Sequence, residues 1–110
     1  MRLPVVIAER AEHDLALQYE WYAKHADLEV AERYLQSVDQ TIGHLSEQPD
    51  LGLLRRFQSS ELRGIRSCQV HGAFDRHLIF YRATDVLSIE RIIHGARDLP
   101  RRLLEEPGAV

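Results

Sequence analysis

The sequence predicts an α+β domain with the element order β-α-α-β-β-β, in which a helical hairpin packs on one side of a twisted, mainly antiparallel sheet. Two stretches with helical spacing of apolar residues occupy positions 8–45. Runs rich in β-branched and aromatic residues, joined by short turns, follow at positions 62–94. Because 110 residues are near the commonest domain size, we assign residues 1–104 to a single domain and residues 105–110 to a flexible tail.

The N-terminal half contains a short predicted strand and two predicted helices. Leu3 to Ile7 is apolar and β-branched, which is typical of a strand. An amphipathic helix follows, because apolar residues recur every three or four positions at Ala8, Ala11, Leu15, Tyr19, Tyr22 and Ala26. Asp27 is a good N-cap for a second helix, which Pro49 ends. The stripe of that helix consists of Ala31, Tyr34, Val38, Ile42 and Leu45. The short break between the two predicted helices indicates an antiparallel helical hairpin.

The C-terminal half predicts a three-stranded antiparallel meander. A polar, basic loop with Arg55 and Arg56 precedes it. The predicted strands are Leu62–Val70, Phe74–Ala83 and Val86–His94, and a short terminal helix is predicted over Arg97–Leu104. The connections between the strands are short enough for hairpins.

Composition restricts the class of protein. Apolar residues make up 45% of the chain and charged residues 28%, as in ordinary soluble domains. No apolar run approaches the length of a membrane-spanning helix. The single cysteine, Cys68, excludes an internal disulfide and fits a reducing compartment. We therefore expect a cytoplasmic protein with no membrane partner.

Charge is distributed unevenly along the chain. Residues 1–51 hold 4 basic and 10 acidic side chains, whereas residues 52–102 hold 10 basic and 5 acidic ones. Of the 14 basic residues, 13 are arginine, the side chain suited to bidentate contact with carboxylate or phosphate. This asymmetry indicates an acidic partner, either an acidic protein segment or a nucleic acid, and leaves direct nucleic-acid binding open.

Several arginines fall on the predicted strands or just after them. The candidates for partner contact are Arg63, Arg66, Arg82, Arg91, His94 and Arg97. Strands rich in apolar residues seldom carry so many arginines, so we interpret them as a cationic face that a partner covers. The alternative is that they point outward and keep an exposed sheet face soluble.

Leu17 and Trp21 are further candidates for partner contact. Both lie on the first helix but away from its main apolar stripe. A second apolar patch on a helix can mark an interface, although it can also be the flank of a wide core stripe.

Short motifs in a particular order and spacing then suggest a family. They are Ala11-Glu12-His13-Asp14-Leu15, Ala31-Glu32-Arg33-Tyr34, Gln48-Pro49 with Gly52, Leu62-Arg63, His77-Leu78-Ile79-Phe80-Tyr81-Arg82 and Ile92-Ile93-His94-Gly95-Ala96-Arg97-Asp98. Together they resemble the ParE branch of the RelE/ParE superfamily of bacterial toxins, from Ala11 to about Leu103. The resemblance implies the fold described above. It also implies a non-enzymatic growth inhibitor that binds and poisons DNA gyrase. A ParD-like antitoxin, with an acidic amphipathic segment, would neutralise it.

The related RelE branch provides the alternative, a ribosome-dependent endoribonuclease that cleaves messenger RNA. On that reading the catalytic candidates are Arg63, Arg82 and His94. The branch often has a C-terminal tyrosine, and none follows Arg97-Asp98 here. Arginine stays protonated at neutral pH and is a poor general base, so the sequence does not favour this chemistry. A third possibility is a decayed toxin that only binds its antitoxin.

The remaining titratable residues give weaker signals. The six histidines and Cys68 show no metal-ligand spacing, so we expect neither a metal nor a cofactor. Asp98 is expected to cap the terminal helix or to pair with Arg97 or Arg91.

Overall fold

The computed structural model describes residues 2–95 and 98–108. Its strands are β1 (Val5–Ile7), β2 (Leu53–Leu54), β3 (Arg66–Gln69), β4 (His77–Ala83) and β5 (Leu87–His94). Its helices are α1 (Glu9–His25), α2 (Leu28–Glu47) and α3 (Leu99–Leu104). The predicted fold class is confirmed: a helical hairpin packs on a mainly antiparallel sheet. None of the helices in the described residues is long and apolar enough to cross a membrane.

The described strands form one sheet in the order β1-β5-β4-β3-β2. All neighbours are antiparallel except β1, which pairs in parallel with β5. Since β1 has three residues, it covers β5 only from Leu87 to Ile89. Further along β5, side chains of α1 reach the same edge: the Gln18 amide donates to the carbonyl of Ile92.

Two strand predictions need correction. The strand predicted over Leu62–Val70 begins only at Arg66, because Ser60–Leu62 forms a 3-10 turn and Gly64 has a φ of +82°. The short strand β2 was not predicted at all. It pairs with β3 at Ser67 and Arg66, and two residues carry too little alternation to be recognised in a sequence.

The strand predicted over Phe74–Ala83 also begins later, at His77, since Gly72–Phe74 forms another 3-10 turn. The N-cap of α2 is confirmed: the Asp27 carboxylate accepts a hydrogen bond from the Val30 N–H at 2.8 Å. Such a cap satisfies one of the free amides of the first turn.

The main core lies between the hairpin and the sheet. It includes Ala11, Tyr34, Val38, Ile42, Leu45, Ile79, Tyr81, Leu87, Ile89 and Ile92. The Tyr81 hydroxyl also fastens the end of the hairpin. It donates to the Pro49 carbonyl at 2.7 Å and accepts from the Gly52 N–H at 2.9 Å. A side chain at position 52 would collide with that ring, because an added Cβ would lie 2.4 Å from the hydroxyl.

A second core covers the opposite face of the sheet. It consists of Leu62, Ile65, Phe80, Ile93, Leu99 and Leu103, supplied by the 55–65 loop, the sheet and α3. The β4–β5 pairing contains a bulge, since Phe80 lies opposite Arg91 while the next residue, Tyr81, lies opposite Ile89. Ile89 and Ile92 therefore both face the main core, with two residues between them instead of one.

Candidate partner-binding surface

The most buried charges of the described chain join α1 to β5. Asp14 and Arg91 are each 6% exposed. The Arg91 guanidinium donates twice to the Asp14 carboxylate, from Nε at 2.8 Å and from Nη2 at 3.0 Å. The same carboxylate accepts from the Ile92 N–H at 3.0 Å. The Asp14 carboxylate thus accepts the hydrogen bond that a neighbouring strand would accept at this edge of β5, which β1 does not cover.

Arg91 also holds the C-terminal segment. Its Nη1 donates to the carbonyls of Arg102 at 2.8 Å and Glu105 at 2.7 Å, at the end of α3. Arg10 donates to the same Glu105 carbonyl, and Pro107 is buried. Arg91 is therefore not a surface group that a partner could reach, and that part of the sequence interpretation is corrected. Whether residues 105–110 are flexible stays a prediction.

Two other strand arginines are occupied within the fold. Arg82 donates through Nε to the Arg63 carbonyl at 3.2 Å, through Nη2 to the Glu61 carbonyl, and through Nη1 to the Glu90 carboxylate. Arg66 donates to the Gly52 carbonyl at 2.8 Å. Both side chains are about a quarter exposed and hold loops to the sheet.

Arg63 is exposed, but it lies in the loop after a 3-10 turn and not on a strand. The arginines of the sheet consequently do not form the continuous cationic face that the sequence suggested. Arg97, the remaining arginine candidate, lies outside the described residues.

The structure instead brings the apolar candidates together with His94. An open groove of about 390 Å³ lies between α1 and the adjoining ends of β4 and β5. Its lining, which we call the aromatic groove, consists of Leu17, Gln18, Trp21, Tyr22, His77 and His94. Trp21 is 56% exposed and Leu17 is 39% exposed, so neither is the flank of a core stripe.

His77 forms the floor of the aromatic groove. It is 3% exposed, and its Nε2 is 2.8 Å from the Tyr22 hydroxyl. Its ring packs against Tyr34 and His94, with centroids 4.6 Å and 4.8 Å away. Burial, and then the neighbouring His94, lowers the pKa of His77 to about 4. The floor is therefore neutral at physiological pH.

The aromatic rings around this floor hold it in place. Tyr22 packs edge-on against both Trp21 and Phe74. The Tyr34 hydroxyl donates to the Gln18 amide oxygen, and burial raises the pKa of Tyr34. A groove floor made of packed rings presents a fixed shape to a ligand.

The candidates for RNA cleavage are not brought together. Arg82 lies opposite Ser88, whereas His94 lies opposite His77, six residues further along β5. At about 3.3 Å per residue this separates Arg82 from His94 by about 20 Å, more than their side chains can span. Arg63 lies beside Arg82 at the far end. These three residues do not constitute one acid–base site.

Asp98 begins α3 without capping it through its side chain. Its backbone is left-handed, with a φ of +54°, and its carboxylate makes no capping hydrogen bond. It lies 3.6 Å from the Arg101 guanidinium instead. The capping role expected from the sequence is therefore wrong.

Two buried groups were missed by the sequence analysis. Asp14 lies three residues after Ala11, on the buried side of α1, and an acid on an apolar stripe is a usable signal. His77 alternates with Ile79 and Tyr81, the inward-facing residues of β4. Among the described residues, no group of three or more His, Cys, Asp or Glu side chains could hold a metal ion.

Comparison with known proteins places this geometry in a family. The model of the "ParE toxin of type II toxin-antitoxin system, parDE" matches residues 5–99. The chain belongs to the ParE toxin family. That match includes β1 to β5 and both helices of the hairpin.

A solved structure supports the fold of this ParE family member. It is described as a chromosomal ParDE TA system from P. aeruginosa, and it matches with a TM-score of 0.70 and 18% identity. The match covers 86% of this chain and 98% of that one. No curated protein sequence matches this chain. At this identity the structural likeness extends to the fold alone.

Proposed function

We propose that this ParE family member is the toxin of a ParDE-type module, that it inhibits growth in the cytoplasm by binding and poisoning DNA gyrase, and that a ParD-type antitoxin neutralises it. The observation that carries the proposal is the family match over residues 5–99. The exposed aromatic groove supports a function that depends on binding another protein.

The antitoxin contact is proposed at the aromatic groove. Trp21 is a large exposed apolar side chain above a rigid floor, and tryptophan is enriched among the residues that dominate interface energies. Two exposed cations are neighbours of groove residues in the sequence: Lys24 lies three residues after Trp21 on α1, and Arg76 precedes His77. An acidic amphipathic segment would place apolar side chains in the groove and carboxylates near these cations.

Inhibition of gyrase is proposed to be non-enzymatic. The separation of about 20 Å between Arg82 and His94 along β5 supports binding over RNA cleavage. The internal hydrogen bonds of Arg82 support it further, since that guanidinium is occupied with the 61–63 loop. An arginine that stabilised a reacting phosphate would need free donors.

The deciding experiment incubates purified gyrase, ATP and supercoiled plasmid with this protein and scores linear, protein-linked DNA. We expect cleaved complexes to accumulate, and an equimolar ParD-type antitoxin to suppress them. Heat-unfolded protein is the control. Absence of cleaved DNA, with the folded protein still toxic in cells, would overturn the gyrase target. Cleaved transcripts in those cells would then identify a ribosome-dependent endoribonuclease.

A further inference from the structure

Two histidines that lie far apart in the sequence meet at the surface, outside the aromatic groove. His44 and His71 are separated by 27 residues, and their Nδ1 atoms lie 3.1 Å apart. The ring centroids are 4.9 Å apart, with 33° between the ring planes. Neither residue lines the aromatic groove or takes part in the proposed function.

Hydrogen bonds hold the backbone at both histidines. His44 lies in the last turn of α2, where its carbonyl accepts from the Gln48 N–H at 2.8 Å. The N–H of His71 donates to the Thr41 hydroxyl at 3.0 Å. Thr41 is fully buried and donates in turn to the Ser37 carbonyl at 2.7 Å. The segment before β4 is thus tied to α2 one turn before His44.

We propose that His44 and His71 chelate a divalent late first-row transition ion, such as Ni²⁺ or Zn²⁺, through their two Nδ1 atoms. Imidazole nitrogen is a preferred ligand of these ions. Metal–nitrogen bonds of about 2.05 Å to two atoms 3.1 Å apart subtend about 98° at the ion. That angle lies between square-planar and tetrahedral values. His44 is exposed, so an ion has access and water can complete its coordination.

The proton balance of this site is simple. Without an ion, one neutral imidazole donates its Nδ1–H to the other Nδ1. On binding, that hydrogen moves to Nε2 of the same ring, so both Nδ1 lone pairs face the ion. Neutral imidazoles therefore bind without net loss of a proton.

The proposed site links the end of α2 to the segment that precedes β4. An ion that binds the folded protein more tightly than the unfolded chain raises the melting temperature by mass action. If the two rings only form a hydrogen bond with each other, an added ion should not stabilise the protein through them.

The test titrates NiCl₂ into the untagged full-length protein by calorimetry. Loss of even an outer-shell partner typically costs about 10–100-fold in metal affinity, so His44→Ala or His71→Ala should each weaken binding at least about tenfold. His13→Ala removes an exposed histidine from α1 and should leave the affinity within about twofold. Cys68→Ser, which removes the half-buried thiol, should also leave it unchanged.

Thermal unfolding provides the second readout. Excess Ni²⁺ should raise the melting temperature of the wild type, His13→Ala and Cys68→Ser proteins by similar amounts, and should raise that of His44→Ala less. Circular dichroism checks the fold of each variant. If His71→Ala is unfolded, the test rests on His44→Ala, because His44 is exposed and its replacement should leave the fold intact. Absence of Ni²⁺ binding by the wild type, or equal affinities in His44→Ala and His13→Ala, would overturn the site.

Discussion

Asp14 and Trp21 lie seven residues apart on α1, yet each occupies the environment expected of the other. Asp14 is 6% exposed and Trp21 is 56% exposed. The difference follows from what each meets at the sheet. Asp14 meets Arg91 and a free backbone N–H of β5, and it satisfies both. Trp21 lies where the strands end, above a floor of packed rings.

This contrast teaches that residue type alone does not identify the interaction surface of this helix. A charge can be structural when a sheet edge needs an acceptor, and an aromatic residue can be free when nothing covers it. The part of α1 at Asp14 holds the fold together, and the part at Trp21 is available to a partner.

The largest expected effect tests the structural side of the contrast. Asp14→Ala leaves the buried Arg91 guanidinium without its ion-pair partner, which typically costs about 3–5 kcal/mol. Urea unfolding measures the free energy of unfolding. Glu12→Ala, an exposed change on the same helix, should alter it by less than about 0.5 kcal/mol. Equal losses in the two variants would show that the ion pair is dispensable.

The second prediction concerns the neutral floor of the groove. The pKa of His77 is lowered from 6.5 to about 4, so the unfolded chain binds the extra proton and stability falls as the pH drops from about 6.5 to 4. At about 1.36 kcal/mol per pH unit, this contribution is at most about 3 kcal/mol.

The measurement is the urea midpoint at pH 7 and pH 4.5. The groups facing His77 are Tyr22, Tyr34 and His94. His77→Gln should flatten the pH dependence, whereas His13→Gln should not. An unchanged pH dependence in His77→Gln would argue that His77 does not titrate in this range.

The third prediction tests the partner side of the contrast. Trp21→Ala should weaken binding of a ParD-type antitoxin by about 2 kcal/mol, or about 30-fold, because exposed tryptophans at interfaces carry a large share of the energy. Glu20→Ala is the matched control on the neighbouring exposed position. Calorimetry at high and low salt separates the apolar contribution from charge pairing. Full affinity in Trp21→Ala would place the antitoxin elsewhere.

The smallest effect separates two neighbouring arginines. Arg82→Ala removes three hydrogen bonds to the 61–63 loop and Glu90, and should cost about 1–2 kcal/mol of stability. Arg63→Ala changes an exposed side chain and should cost less than about 0.5 kcal/mol. Thermal unfolding of both variants makes the comparison, and equal stabilities would mean that Arg82 is free for a partner.

The sequence by itself determined the hairpin, the order of the longer strands and the family. The hairpin and the strands follow from local periodicity: the α2 stripe from Ala31 to Leu45 and the β-branched run of β5 are long enough to be recognised. The family follows instead from the resemblance of short motifs in their order and spacing. The N-cap at Asp27 is likewise a local signal, and it is confirmed. Leu17, Trp21 and His94 are also candidates on the sequence alone, and the structure groups them in the aromatic groove.

Only the tertiary structure decided the roles of the buried polar groups. Asp14 and Arg91 are 77 residues apart, so no local pattern joins them. The same holds at the surface for His44 and His71, which are 27 residues apart. The bulge between β4 and β5 determines which face Arg91 occupies, and a one-residue shift of this kind leaves no trace in composition. Secondary structure depends on neighbours along the chain, whereas burial and pairing of charges depend on neighbours in space.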